Sequence, residues 1–104
     1  MSTPLIAGLR AQCGGPRDGA LLRFSLGNAL LGTGDALAAA EELRRAVAFD
    51  PGYSAAWKLL GKACLAIDDR EGAVTAWQQG IEVARQHGDK QAEKEMNVFL
   101  RRLK

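Results

Sequence analysis

The chain repeats itself, and that feature constrains its fold more than any other. Displaced by 34 residues, the 104-residue sequence sets Leu26 on Leu60, Gly27 on Gly61, Ala29 on Ala63, Leu31 on Leu65, Asp35 on Asp69 and Ala39 on Ala73. The same displacement puts Leu30 over Cys64, Leu43 over Trp77 and Ala46 over Gly80, so apolar or small positions fall on apolar or small ones. Self-similarity at a period of roughly 20–50 residues marks stacked supersecondary units, none of which buries its apolar face alone. The division that follows is one domain over 1–104: a lead segment 1–19, units 20–53 and 54–87, and a tail 88–104.

Each unit reads as a helical hairpin. Ala (18) and Leu (14) outnumber Val, Ile and Thr together (10), a mixture of helical propensity that argues against an all-β fold. In the first unit Leu22, Leu26, Ala29 and Leu30 recur at helical spacing, and Gly32-Thr33-Gly34 interrupts them. Asp35 is placed to cap a second helix carrying Leu37, Ala40, Leu43 and Val47, which Asp50-Pro51-Gly52 ends. In the second unit Trp57, Leu60, Cys64 and Ile67 lead to Asp68-Asp69; Val74, Trp77 and Ile81 line the next helix, with Gly88 as a left-handed stop. Gly27 with Ala39, and Gly61 with Ala73, are expected to let the paired helices approach closely, with Trp57 and Trp77 as the main volume of the second unit.

These residues resemble the tetratricopeptide repeats, whose pattern is W-x2-L-G-x2-Y, then A-x3-F, then P. The second unit shows Trp57-x2-Leu60-Gly61-x2-Cys64 and Ala73-x3-Trp77; the first shows Leu26-Gly27-x2-Leu30, Ala39-x3-Leu43 and Pro51. Arg23 stands where the pattern has Trp, Cys64 for Tyr, Gly80 for Ala and Arg85 for Pro, the last predicting that the helix runs on to about His87. The resemblance covers about two thirds of the chain and extends to small bacterial two-repeat proteins. It implies an all-α fold: antiparallel helical hairpins stacked as a short right-handed solenoid, with capping helices at both ends.

The ends read as caps. Thr3 before Pro4 starts a short helix whose Leu5 and Leu9 lie 34 residues before Ala39 and Leu43, the slot of a preceding repeat's second helix. In the tail Ala92, Met96, Phe99, Leu100 and Leu103 form one apolar stripe. The 34-residue displacement sets Lys94 and Glu95 over Leu60 and Gly61, so no third repeat continues in register and the tail is shifted or rotated.

Composition excludes several functions. Lys and Arg (14) against Asp and Glu (12) leave a net charge of +2, too little for nucleic-acid binding, and no apolar run approaches the roughly 18 residues of a membrane span. The start lacks a basic leader before an apolar run, so the expected compartment is the cytoplasm, with reduced thiols. Cys13 and Cys64 form no metal-binding spacing and His87 is the sole histidine, so neither metal nor cofactor is expected. Cys64 reads as core and Cys13, beside Gly14-Gly15, as exposed. Ser25 and Ser54 have no visible base, His87 reads as a last-turn residue, and 14–19 lacks the Lys-Ser/Thr of a phosphate loop, so no catalytic residue is assigned.

What remains is binding. In the family the first helices of successive hairpins line an inner groove that takes peptides. Segments 20–34 and 53–67 contain Arg23, Lys58 and Lys62 and no acidic residue, whereas the second helices carry Glu41, Glu42, Glu71 and Glu82. The repeat register sets Phe24 beside Lys58, Asn28 beside Lys62 and Leu31 beside Leu65. The candidate site is therefore Phe24, Asn28, Leu31, Lys58, Lys62 and Leu65, and the expected partner is another protein offering an acidic peptide or a C-terminal carboxylate. Some family members grip a carboxylate with a lysine where Phe24 stands, so a complete clamp of that kind is not expected. Glu41 with Arg45 is expected as an i,i+4 pair on an outer helix face. The alternative is a structural protein that self-associates through its terminal helices; a monomer is expected, a homodimer being the other outcome.

Overall fold

The computed structural model describes residues 3–103. Among them are six helices and no strand: α1 (Pro4–Ala11), α2 (Ala20–Gly32), α3 (Ala36–Phe49), α4 (Ser54–Ala66), α5 (Arg70–Gln86) and α6 (Lys90–Leu103). The starts of α1, α3, α5 and α6 follow from capping chemistry, in which a side-chain oxygen accepts an amide N–H of the first turn that has no partner in the helix. Thr3 accepts from Ile6, Asp35 from Ala38, Asp69 from Gly72 and Asp89 from Ala92. α2 and α5 are stopped by left-handed glycines, Gly34 at φ 87° and Gly88 at φ 72°, whereas α3 ends on extended backbone at Asp50. Asp68, the 34-residue counterpart of Gly34, takes the same conformation at φ 64° and bears the steric strain that glycine avoids.

α2 pairs with α3 and α4 with α5 as antiparallel hairpins, α3 packs on α4 and α5 on α6, and α1 leans on α2. One core threads through all of them, from Ile6 through Leu26, Leu43 and Cys64 to Trp77 and Met96. The two repeat glycines make the hairpins close. A methyl group on Gly27 would come within 2.6 Å of Leu43 Cγ, and one on Gly61 would run into the Trp77 indole. The tight partners are thus Leu43 and Trp77 rather than Ala39 and Ala73, which are fully buried one turn earlier. Trp77 also donates its indole N–H to the Lys58 carbonyl at 3.0 Å, so it crosses α4 with its polar handle satisfied.

α5 has 17 residues against 14 in α3, continuing through Arg85 and ending at Gln86, as the missing proline predicts. α6 buries Ala92 and Met96, which follow Ala56 and Leu60 by 36 residues, two more than the repeat period. Gly80 explains how it fits: a Cβ there would press on the Met96 sulfur and come within 2.8 Å of Trp57 Cβ. Glycine at that position is what lets α6 lie close to α5.

Candidate functional site

The six predicted site residues lie on α2 and α4, the first helices of the two hairpins. Asn28 and Lys62 are exposed, Leu65 is 40% exposed, and Leu31 and Lys58 are partly covered. Phe24 is stacked against Tyr53, ring centroids 4.9 Å apart, and so serves as wall more than contact; the same burial raises the Tyr53 phenol above its usual pKa, with the Asp50 charge adding to it.

Both lysines are met by α6. Lys58 Nζ lies 3.1 Å from Glu95 Oε1, and Lys62 Nζ sits 5.1 Å from the centroid of the Phe99 ring, a cation–π contact. Phe99 in turn packs on Trp77 with centroids 5.2 Å apart. Sequence reasoning missed Glu95 and Phe99 because the 34-residue register stops at α5. The signal was nonetheless present: Lys58 and Lys62 are four apart, as are Glu95 and Phe99, each 37 residues after its partner.

Arg23 does not belong to the inner charge, contrary to the reading of segment 20–34 as a source of free positive charge. It is 9% exposed and fully engaged. Its Nε and Nη2 donate to the two oxygens of Asp18 at 2.8 and 2.7 Å, and Nη1 donates to Glu42 Oε1 at 2.7 Å. Asp18 also accepts the amides of Gly14 and Gly19, which ties the glycine-rich loop to the first repeat. Hydrogen bonds from Arg23 and then from Gly14 hold the Asp18 carboxyl well below the usual carboxylate range, and the same network raises the guanidinium pKa above its ordinary value.

A carboxyl with a depressed pKa contributes stability that is complete above its unfolded pKa of about 4 and drains away as pH falls toward the folded value. The urea midpoint is therefore expected to fall steadily between about pH 4 and pH 2, and Asp18→Asn to flatten part of that fall. An unchanged pH profile in Asp18→Asn would show that other carboxylates carry the acid sensitivity.

On the outer side a cleft of about 490 Å3 has Val47, Trp57, Leu60, Cys64 and Ala76 among its lining, with Arg44 and Asp69 at its rim. Arg44 donates to the Cys64 sulfur at 3.6 Å, and burial pushes that thiol above its ordinary pKa. Cys64 is core, as read; Cys13 is half-buried rather than exposed, its thiol donating to the Leu9 carbonyl at 3.7 Å. Arg45 pairs with Glu42 at 3.6 Å rather than with Glu41. His87 caps α5 with its backbone N–H on Val83 O and its ring exposed.

Among the described residues no group of three or more His, Cys, Asp or Glu is placed to hold a metal ion, and no helix is long and apolar enough to cross a membrane. No family model matches the sequence. The TPR repeat-containing protein PA0015 of Pseudomonas aeruginosa is 58% identical over 99 residues, covering 95% of this chain and 94% of the relative. The solution structure of protein BPP2914 from Bordetella parapertussis superposes with a TM-score of 0.82 at 43% identity, over 98% of this chain and 89% of the other. With the 34-residue period, the glycine contacts of both hairpins and a relative of this identity over nearly its whole length, the chain belongs to the tetratricopeptide-repeat family.

Proposed function

We propose that the protein is a non-enzymatic interaction module whose inner face takes a short acidic segment, or an acidic C-terminus, of another protein. The observation that carries this reading is that Lys58 already holds a carboxylate there, Glu95 at 3.1 Å, while Lys62 one turn along is exposed. Asn28 and Leu65 add an exposed amide and an apolar contact, and Phe24 and Leu31 form the half-buried wall beside them.

An incoming carboxylate engages Lys62 and competes with Glu95 for Lys58. Replacing one carboxylate by another at a partly exposed lysine costs little, since such pairs are worth at most about 1 kcal/mol. Binding is therefore modest in affinity and weakens with salt.

The test is a fluorescence-anisotropy titration of the protein with a labelled acidic peptide bearing a free C-terminus. Lys62→Glu is expected to weaken binding by about tenfold. Glu95→Gln, which removes the internal competitor, is expected to strengthen it by roughly two- to fivefold. Affinity indifferent to both substitutions would overturn the inner face as the site.

A further inference from the structure

A second surface, independent of that reading, shares no lining residue with the inner-face set. Between α5 and α6 runs a groove of about 270 Å3 whose floor is Val74, Leu100 and Leu103. Gln78 and Asn97 line it further along, and Arg70 and Arg101 stand together at one end, where Arg70 donates to the Leu103 carbonyl. No acidic residue lines it, and among the described residues neither arginine is paired with a carboxylate.

The repeat explains the shape of this groove. α6 sits on α5 through Ala92 and Met96 as α4 sits on α3 through Ala56 and Leu60, 36 residues earlier. On α4 the adjoining positions, Gly61 and Cys64, are buried beneath a helix, with the Trp77 indole of α5 over Gly61. Their counterparts on α6 are Asn97 and Leu100, and among the described residues no helix covers them. The groove marks the place on α6 that corresponds to the one α5 covers on α4.

We propose that this slot docks an amphipathic helix of another protein, one with Asp or Glu in its first turn and an apolar stripe behind it. A helix lying antiparallel to α6, as α5 lies antiparallel to α4, brings its N-terminus to the end where Arg70 and Arg101 stand. Acidic residues there are favoured twice, by the helix's own dipole and by the arginines. The molecule uses the same device internally: Asp69, the N-cap of α5, pairs with Arg44 of α3 at 3.6 Å.

Charge argues against a second copy as the occupant. A second copy seated on it through the same face brings another groove that carries Arg70 and Arg101 and no acidic lining residue, so the two surfaces offer each other no charge complementarity. The short helix α1, with Leu5 63% exposed, is the one apolar helix the chain could offer from its other end, and it carries Arg10 and no acidic residue. Asn97 in the place of Gly61 holds the docked helix further out than Trp77 lies, so the stripe is aliphatic rather than an indole.

The experiment titrates 15N-labelled full-length protein with an alanine- and leucine-based helical peptide of about 16 residues, long enough to hold helix, with an Asp cap and glutamates in its first turn. Amide shifts are expected at Val74, Gln78, Asn97 and Leu100, and they persist in Lys62→Glu, where any shifts of the inner-face residues Asn28 and Leu65 are weakened. Arg70→Glu with Arg101→Glu, both at exposed positions, is expected to weaken binding by about tenfold, and a peptide with lysines in place of its acids to recover it on that variant. Lys62→Glu leaves the shifts at these four groove residues unchanged, so failure of this proposal is distinguishable from failure of the inner-face reading. Shifts confined to the inner face, or equal affinity for the double variant, would overturn the proposal. So would the same amides shifting with protein concentration alone, since the occupant would then be a second copy.

Discussion

Trp77→Ala is expected to lower the free energy of unfolding by about 3–5 kcal/mol, a large part of the roughly 5–15 kcal/mol available to a domain of this size. Trp77 is 2% exposed, fills the space over Gly61, packs on Phe99 and donates to the Lys58 carbonyl, so one truncation opens a cavity where α4, α5 and α6 meet and removes a hydrogen bond that ties α5 to α4. Trp77→Phe keeps most of the ring but loses the hydrogen bond, and is expected to cost about 1–2 kcal/mol. Urea unfolding followed by far-ultraviolet circular dichroism measures both. A loss below about 1 kcal/mol for the alanine variant would mean that the hairpin is held elsewhere. The joint also bears on binding, because Phe99, braced by Trp77, is the ring on which Lys62 rests.

Arg23→Ala is expected to cost about 3 kcal/mol, because it strands Glu42 and Asp18 at a largely enclosed site without their counter-charge. The repeat supplies a control. The 34-residue counterparts of Asp18, Arg23 and Glu42 are Gly52, Trp57 and Ala76, so the first repeat holds with ions the place that the second fills with an indole. The triple variant Asp18→Gly, Arg23→Trp, Glu42→Ala imports the second repeat's solution, and is expected to return to within about 1 kcal/mol of the parent, since an apolar replacement of a buried ion cluster is often neutral or better. Equilibrium unfolding of all three proteins reads the result. A triple variant as unstable as Arg23→Ala would show that the ions position the loop in a way that packed volume cannot.

The hairpins were legible in the sequence because their determinants are local or recur at fixed spacing: capping aspartates, left-handed glycines and the glycines that admit Leu43 and Trp77. The network of Arg23 was not, since Asp18 lies in a loop and Glu42 lies 19 positions along the chain, and only the folded hairpin brings them to one guanidinium. The charge of an isolated segment says nothing about such a meeting. The register of α6 was legible only as a misfit at Lys94 and Glu95, because the longer α5 carries it off the 34-residue period. With that register hidden, the matching four-residue spacings of Lys58 with Lys62 and Glu95 with Phe99 carried no meaning until the fold set them face to face. The stacking of Phe24 on Tyr53 was hidden for a similar reason: Tyr53 reads as linker until α4 begins beside it.

The unlike fillings at Arg23 and Trp57 give the molecule a direction. In a stacked array each joint opens according to its own local strength, and these two joints differ in kind. The Trp57 clamp closes with its indole N–H on the Pro51 carbonyl at 2.8 Å, a bond that involves no carboxylate. The Arg23 clamp closes on Asp18 and Glu42, and loosens as the Asp18 carboxylate is neutralised. Falling pH therefore loosens the joint of the first repeat at Asp18, whereas the indole hydrogen bond that closes the corresponding joint of the second is untouched by it.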